Sequence, residues 1–343
     1  MSFRSWLNIL TALIILVLLW TLRDELVRAW HLLGTVNLWI LALIIPLQFL
    51  SYYAGGAAIF SYLKQRGQAS DVKPWDMARM SLELNFVNHV LPTAGVSGVS
   101  YMTWRLSKLG VSSGRATLAQ VVRLTMSFFA FVLLLMIAVV VVTLDTGVNR
   151  LTILATSGLV STIIIGTMLL WFILDSERRM ERVSRGISRL VNGFGRRVLR
   201  RKSDFLSASA VKHFFDELQD DYRALKREPR LLIRPFLWGV VFNVTEVSLF
   251  FFTFLALGAI VNPAAILLAI GVASIVGVFM ITPGGAGGYE AVMVLMLTSA
   301  GIMGATVIAG VLLARMILIL LTISSGYVFY HLALRKYGAN SVV

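Results

Sequence analysis

The sequence predicts an all-α polytopic membrane protein of two inverted-topology repeats, each with three transmembrane helices and one re-entrant hairpin broken by proline and glycine. Three observations lead to this fold class. The chain is 58% hydrophobic and only 14% charged, with a mean hydropathy of +0.82, which is outside the range of soluble proteins. Several apolar runs are long enough to cross a bilayer. Two further apolar stretches are interrupted, one by Leu91-Pro92 and one by Pro283-Gly284-Gly285-Ala286-Gly287-Gly288.

The continuous apolar runs predict the transmembrane helices, because a helix needs about 20 apolar residues to cross the hydrocarbon. They lie at residues 6–22, 36–63, 116–144, 151–174, 236–258 and 304–333. No small-residue cleavage pattern follows the first run, so we interpret it as a retained span rather than a signal peptide. The interrupted stretches 77–109 and 264–300 each predict two half-helices that form a hairpin.

The distribution of charge predicts the orientation of these spans. The formal net charge is +14, and the segment 175–234 holds sixteen Lys/Arg against nine Asp/Glu, which is +7 of that total. Cytoplasmic loops carry such an excess and face anionic lipid, which disfavours nucleic acid as the partner. The remaining basic clusters also predict cytoplasmic positions, and the termini with them: Arg4; Lys64, Arg66 and Lys73; Arg105, Lys108 and Arg115; Arg335 and Lys336.

This orientation predicts that the two hairpins enter the membrane from opposite faces. Both flanks of 77–109 are then cytoplasmic, and both flanks of 264–300 are external. The order span, span, hairpin, span therefore repeats in opposite orientation over 6–144 and 151–333, as in many transporters. Placing Pro92 on Pro283 supports the repeat, because three identical pairs follow and the membrane arginines fall one residue apart: Met102 and Met293, Leu106 and Leu297, Gly110 and Gly301, Arg123 and Arg315.

Four segments follow from this organisation. Residues 1–145 form the first membrane repeat, 146–174 the first span of the second repeat, 175–235 a basic cytoplasmic loop, and 236–343 the remainder of the second repeat. Apolar residues recur at helical spacing from Met180 to Val198 and again from Ser207 to Arg227. Both segments predict amphipathic helices, which either lie in the headgroup layer or only attach the loop to the bundle.

Charged residues within the apolar segments are the candidate site. Such charges are costly in a membrane and mark either function or a buried partner. In one interpretation the arginines bind an anionic headgroup, because guanidinium binds phosphate bidentately, while the glutamates hold the arginines in the empty state or accept a proton. In the other, arginine–glutamate pairs only tie the repeats together. The predicted substrate-binding side chains are Arg123, Arg315, Glu290, Glu246, Asn243, Tyr289, Asn85, Asn88 and His89.

The proline and glycine turns are the candidate backbone anion site and hinges. Glycine lets the backbone approach a ligand closely, and a half-helix that begins near Tyr289 would direct free N–H groups at an anion. The alternatives are tight helix packing at the glycines, and Asn85, Asn88 and His89 that only satisfy carbonyls freed by Pro92. The positions concerned are Pro92, Gly95, Gly98, Pro283, Gly284, Gly285, Gly287 and Gly288.

Two passages resemble the lysylphosphatidylglycerol-synthase transmembrane-domain family, flippase-like integral membrane proteins. One runs from Asn88-His89-Val90-Leu91-Pro92 to Arg123, and the other from Pro283 through Glu290 and Gly301 to Arg315. The first departs from the family pattern, because Ser97-Gly98-Val99 contains no carboxylate. The resemblance covers nearly the whole chain and implies movement of a phospholipid or lipid-linked glycan between leaflets. It does not imply lipid aminoacylation, which belongs to a separate soluble domain in that family.

We therefore expect a multi-pass lipid translocase of the cell membrane, which moves an anionic phospholipid or a polyprenyl-phosphate-linked lipid. One alternative is a membrane-embedded lipid-modifying enzyme that uses Glu290 and His89. The other is a scaffold for a lipid-synthesising enzyme or a membrane glycosyltransferase. The sequence contains no P-loop, HExxH motif or nucleophile elbow. It has no cysteine and four scattered histidines, so we expect neither a metal nor a cofactor.

Overall fold

The computed structural model contains helices and connecting turns but no strand in the residues that it describes, which are 34, 36–91, 96–145, 158, 161, 164–166, 168–169, 171–173, 175–176, 178–182, 186, 208–279 and 287–338. A short 3-10 helix, Pro229–Leu232, precedes α7. The α-helices are α1 (Leu38–Ala42), α2 (Ile44–Gln65), α3 (Pro74–Val90), α4 (Val96–Ser107), α5 (Ser113–Asp145), α6 (Ala208–Arg227), α7 (Ile233–Ala256), α8 (Pro263–Phe279), α9 (Gly288–Ser299) and α10 (Gly304–Tyr337).

Among the described residues, four helical stretches are long and apolar enough to cross a membrane: Leu38–Gln65, Ser113–Ala138, Pro229–Ala256 and Gly304–Tyr337. They confirm the spans predicted at 36–63, 116–144, 236–258 and 304–333, with boundaries that differ by up to seven residues. The run 6–22 lies outside the described residues, and 151–174 is described only in part, with an apolar helix at Ile164–Ile173. The chain is therefore a multi-pass membrane protein.

Each interrupted apolar stretch forms a pair of helices, as the sequence predicts. The first pair is α3 and α4, and the second is α8 and α9. Helix α3 ends at Val90, and Leu91 is extended at φ −104° because the residue before a proline disfavours the helical conformation. Gly287 precedes α9 with a φ of +90°, which favours glycine. The turns themselves lie outside the described residues, with Pro92, Gly95, Pro283, Gly284 and Gly285.

Helices α2 and α7 form the centre of the bundle, and the hairpins pack across it. Helix α3 of the first hairpin contacts α10, whereas α8 of the second hairpin contacts α5. Glycines allow the close approaches: a Cβ on Gly56 would lie 2.3 Å from the carbonyl oxygen of Met77, and one on Gly239 would lie 2.9 Å from the Cα of Ser127. The polar side chains of α2, α5 and α7 are thereby brought close together.

Helix α6 corresponds to the amphipathic segment predicted at Ser207–Arg227. It packs against α5, and its residues Leu218, Tyr222 and Leu225 are buried there. Lys226 donates a hydrogen bond of 2.6 Å to Asp175, which lowers the pKa of that carboxyl and raises the pKa of the ammonium. These contacts favour attachment of the loop to the bundle. The first predicted amphipathic segment is described only at 180–182 and 186.

Candidate functional site

A cavity of about 390 Å³ lies among α2, α5, α7 and α8 and is also reached by side chains of α3, α9 and α10. Both halves of the chain contribute to its walls. Six of the nine side chains that the sequence singles out line it, together with two serines, so the polar lining comprises Asn85, Arg123, Ser127, Asn243, Glu246, Ser274, Tyr289 and Arg315. Asn88, His89 and Glu290 lie outside this lining. The rest of the wall is mainly apolar.

Arg315 of α10 is held by two neighbours on α9. Its Nε donates a hydrogen bond of 2.7 Å to Oε1 of Glu290, and both side chains are largely buried. Its guanidinium carbon lies 4.3 Å from the centre of the Tyr289 ring. The predicted arginine–glutamate contact is thus present for this pair, and it compensates the charge of Arg315 inside the bundle.

The same glutamate also caps the helix that carries it. The N–H of Gly287 donates to Oε2 of Glu290 at 2.7 Å, which satisfies one of the donors left free at a helix N-terminus. We expected the glycine N–H groups to meet an anion. At Gly287 this expectation needs correction, because the donor is already bound within the protein.

The first hairpin contains a corresponding contact. Oδ1 of Asn88 accepts a hydrogen bond of 2.9 Å from the N–H of Gly98, in the first turn of α4. A Cβ at Gly98 would lie 2.3 Å from this oxygen, so only glycine permits the approach. Asn88 therefore links α3 to α4, and the N–H of Gly98 is bound to it rather than available to a ligand.

Arg123 of α5 differs from Arg315 because its charge has no counterpart nearby. Within the described part of the chain, its buried Nε has no hydrogen-bond partner, and no aspartate or glutamate there pairs with it. A Cβ at Gly55 would lie 3.5 Å from Nη1 of Arg123 and 3.0 Å from Oγ of Ser81. The guanidinium of Arg123 and the hydroxyl of Ser81 are therefore close neighbours. Oγ of Ser81 is likewise buried without a partner among these residues. The cavity wall thus carries an uncompensated guanidinium, and an unpaired hydroxyl is buried close to it.

Two side chains of α7 complete the polar wall. Glu246 accepts a hydrogen bond of 2.6 Å from Oγ of Ser51 on α2. Asn243 donates from Nδ2 to the carbonyl of Ser127 at 3.0 Å, which fixes α7 against α5. We expected Glu246 to hold an arginine. Its hydrogen bond is to the hydroxyl of Ser51, and Arg315 lies close enough for its charge to interact with the carboxylate without a direct contact.

Asn85 and His89 bond to the backbone of their own helix. Nδ2 of Asn85 donates to the carbonyl of Ser81 at 2.8 Å, and Nδ1 of His89 lies 2.8 Å from the carbonyl oxygen of Asn85. The structural alternative was that they satisfy carbonyls freed by Pro92, but the carbonyl that Pro92 leaves without its N–H is that of Asn88, which neither bond reaches. Asn85 nevertheless also lines the cavity, whereas His89 does not.

A buried ion cluster surrounds Glu83 in the first hairpin, and Glu83 was not among the predicted site residues. Glu83 is fully buried, and its two oxygens accept from Nε of Arg79 at 2.9 Å and Nε of Arg105 at 2.8 Å. The hydroxyl of Tyr101 donates to the same carboxylate at 2.9 Å. The spacing of four residues between Arg79 and Glu83 was a signal for one of these pairs. Arg105 was assigned to a cytoplasmic basic cluster, but it is buried and paired.

Comparisons with known proteins give one family match. A family model described as the lysylphosphatidylglycerol synthase TM region matches residues 7–326, which is nearly the whole chain. Neither the comparison with curated proteins nor that with solved structures gave a match.

Proposed function

Because this chain belongs to the family of the lysylphosphatidylglycerol synthase TM region, we propose that it is a lipid translocase. Family membership indicates a function related to membrane lipids. The proposed substrate is an anionic phospholipid or a polyprenyl-phosphate-linked lipid, which moves between leaflets without chemical change. The proposal also places both termini in the cytoplasm and the protein in the cell membrane.

The observation that supports this function best is the uncompensated Arg123 on the wall of a mainly apolar cavity. A buried cation without a counterion is costly, and a phosphate would neutralise it through two parallel hydrogen bonds. The volume of about 390 Å³ suits a headgroup rather than a whole lipid. We propose that the headgroup crosses through this cavity while the acyl chains stay in the bilayer.

The packing of the hairpins supports the inverted repeat that the proposal requires. Helix α3 packs on α10 of the other half, and α8 packs on α5 of the first half. Two repeats related by an axis in the membrane plane would produce this arrangement, in which the hairpin of each half packs on a span of the other half. In the proposed mechanism, both hairpins are re-entrant, and rocking of the repeats exposes the cavity to each leaflet in turn.

The experiment is a flipping assay in proteoliposomes with a headgroup-labelled anionic lipid and an outer-leaflet quencher. We expect the Arg123→Gln variant to flip at least about tenfold more slowly than the wild type, because one charge-assisted phosphate contact is lost. Arg227→Gln is the matched control, since Arg227 is exposed on α6 and remote from the cavity lining. Equal rates for Arg123→Gln and the wild type would contradict the assigned role of Arg123.

Two alternatives give different results with the same preparation. A lipid-modifying enzyme would leave a chemically altered lipid that thin-layer chromatography separates. A scaffold for a glycosyltransferase would co-purify with a protein partner and would not flip the labelled lipid. In our proposal Glu290 is a supporting residue, because it binds Arg315 and the N–H of Gly287.

A further inference from the structure

A second concave site lies on the surface of the α2–α7 pair, next to the central cavity. It is an open groove of about 540 Å³ between α2, α3 and the first turns of α7. Trp238 lines both the groove and the cavity. The two spaces are therefore neighbours that share one aromatic wall.

One end of the groove is positively charged. Lys64 is the penultimate residue of α2 and Arg234 is the second residue of α7, so both charges lie where the spans end. The described lining contains no aspartate or glutamate. Nζ of Lys64 donates to the carbonyl of Val72 at 2.8 Å, a contact that leaves its charge uncompensated. Arg234 is exposed. Two cations without a lining carboxylate match an anionic group.

The chemistry of the groove changes with depth. Trp238 lies one helical turn beyond Arg234, about 6 Å further along α7. Its ring packs edge-on against Tyr53, with the ring centres 5.2 Å apart. Val241 continues the apolar wall about 4.5 Å beyond Trp238, and the remaining residues of the lining are apolar except Ser61. Two charges at the surface, followed by an aromatic pair in a mainly apolar wall, match the phosphate and the apolar part of a phospholipid.

We propose that this groove is the loading site for an anionic phospholipid, with its phosphate on Lys64 and Arg234 and its acyl chains along the apolar wall. The headgroup then passes the Tyr53–Trp238 pair to reach Arg123 in the cavity. The binding part of this inference stands alone, whereas the passage into the cavity rests on the proposed translocase function. Positive charge at the membrane surface attracts anionic lipid, and the apolar wall retains it.

The test measures lipid binding to the purified full chain by native mass spectrometry. The probes are phosphatidylglycerol and phosphatidylcholine with the same acyl chains. The groove variant Lys64→Gln/Arg234→Gln should bind phosphatidylglycerol roughly tenfold more weakly and phosphatidylcholine as the wild type does. The control variant Lys73→Gln/Arg230→Gln loses the same charge from exposed positions outside the groove lining. It should bind both lipids as the wild type does.

A third variant separates charge from side-chain identity. Lys64→Arg/Arg234→Lys keeps both positive charges and should bind phosphatidylglycerol as the wild type does. Equal loss in the groove and control variants, or no loss in the groove variant, would overturn the inference. Thermal melting of each variant identifies any loss of lipid binding that comes from misfolding.

The two proposals fail in distinguishable ways. Arg123→Gln should still bind phosphatidylglycerol in the groove although it loses flipping. A wild type that binds phosphatidylglycerol through Lys64 and Arg234 but does not flip it would remove the translocase function and leave the groove site. If the groove variant both flips and binds lipid as the wild type does, the groove is not the loading site, and the translocase function remains.

Discussion

The two arginines on the cavity wall differ in what surrounds them. Arg315 is paired with Glu290 and packs on Tyr289, whereas Arg123 has a buried Nε without a partner among the described residues. The sequence predicted that both arginines would lie near polar groups in the membrane. It did not predict the asymmetry, because the partner of Arg315 is 25 residues away on another helix.

The Glu83 cluster gives a prediction about stability. Glu83→Gln removes the charge that compensates Arg79 and Arg105 and leaves buried Arg105 without its counterion. We expect a loss of about 3–5 kcal/mol, measured as a lower thermal unfolding temperature in detergent. A Glu83→Gln/Arg105→Met double variant should recover part of the loss. If Glu83→Gln unfolded at the same temperature as the wild type, the cluster would not stabilise the hairpin.

The contact between Asn88 and Gly98 gives a second prediction at this scale. A Cβ at Gly98 would lie 2.3 Å from Oδ1 of Asn88, so Gly98→Ala should displace the amide and break its hydrogen bond. We expect a loss of about 1–3 kcal/mol, again from thermal unfolding. Adding Asn88→Ala to this variant should cost little more, because both changes remove one contact. Additive losses would contradict this coupling.

At the scale of the helices, the sequence predicts more than at the scale of single contacts. Length and apolar composition were sufficient to predict the four spans. The proline and glycine residues were sufficient to predict that each hairpin divides into two helices. The contact of α6 with α5 could not be predicted, because an amphipathic helix has the same sequence pattern whether it faces lipid or protein. Burial of Tyr222 and Leu225 distinguishes the two.

Close packing of α2 on α3 is the element-level feature that a single substitution tests. Gly56→Ala would place a methyl group 2.3 Å from the carbonyl oxygen of Met77, which is backbone and cannot move aside by a rotamer change. The helices must separate, so we expect a lower unfolding temperature and slower flipping. In the control Gly304→Ala, the new methyl would meet Thr298 at an ordinary 3.7 Å. Similar behaviour of the two variants would argue against a close crossing at Gly56.

At the scale of the whole molecule, polar side chains from both halves of the chain line one cavity beside the α2–α7 pair. Six predicted residues converge there although they come from five helices. Their convergence was predictable in outline, since polar groups in a membrane protein face one another or a wet space. Ser51, Ser81 and Ser127 were not predicted, because a serine in an apolar helix often bonds only to its own backbone.

The central claim is that a lipid headgroup crosses through this cavity, and blocking the cavity tests it most directly. The chain has no cysteine, so Ser127→Cys introduces a single thiol on the cavity wall and Ser70→Cys introduces one on an exposed loop. Flipping is measured in proteoliposomes for each variant before and after reaction with a bulky maleimide. We expect labelling to reduce the rate for Ser127→Cys to that of protein-free liposomes and to leave the rate for Ser70→Cys unchanged. Fully labelled Ser127→Cys that flips as fast as before labelling would contradict the account.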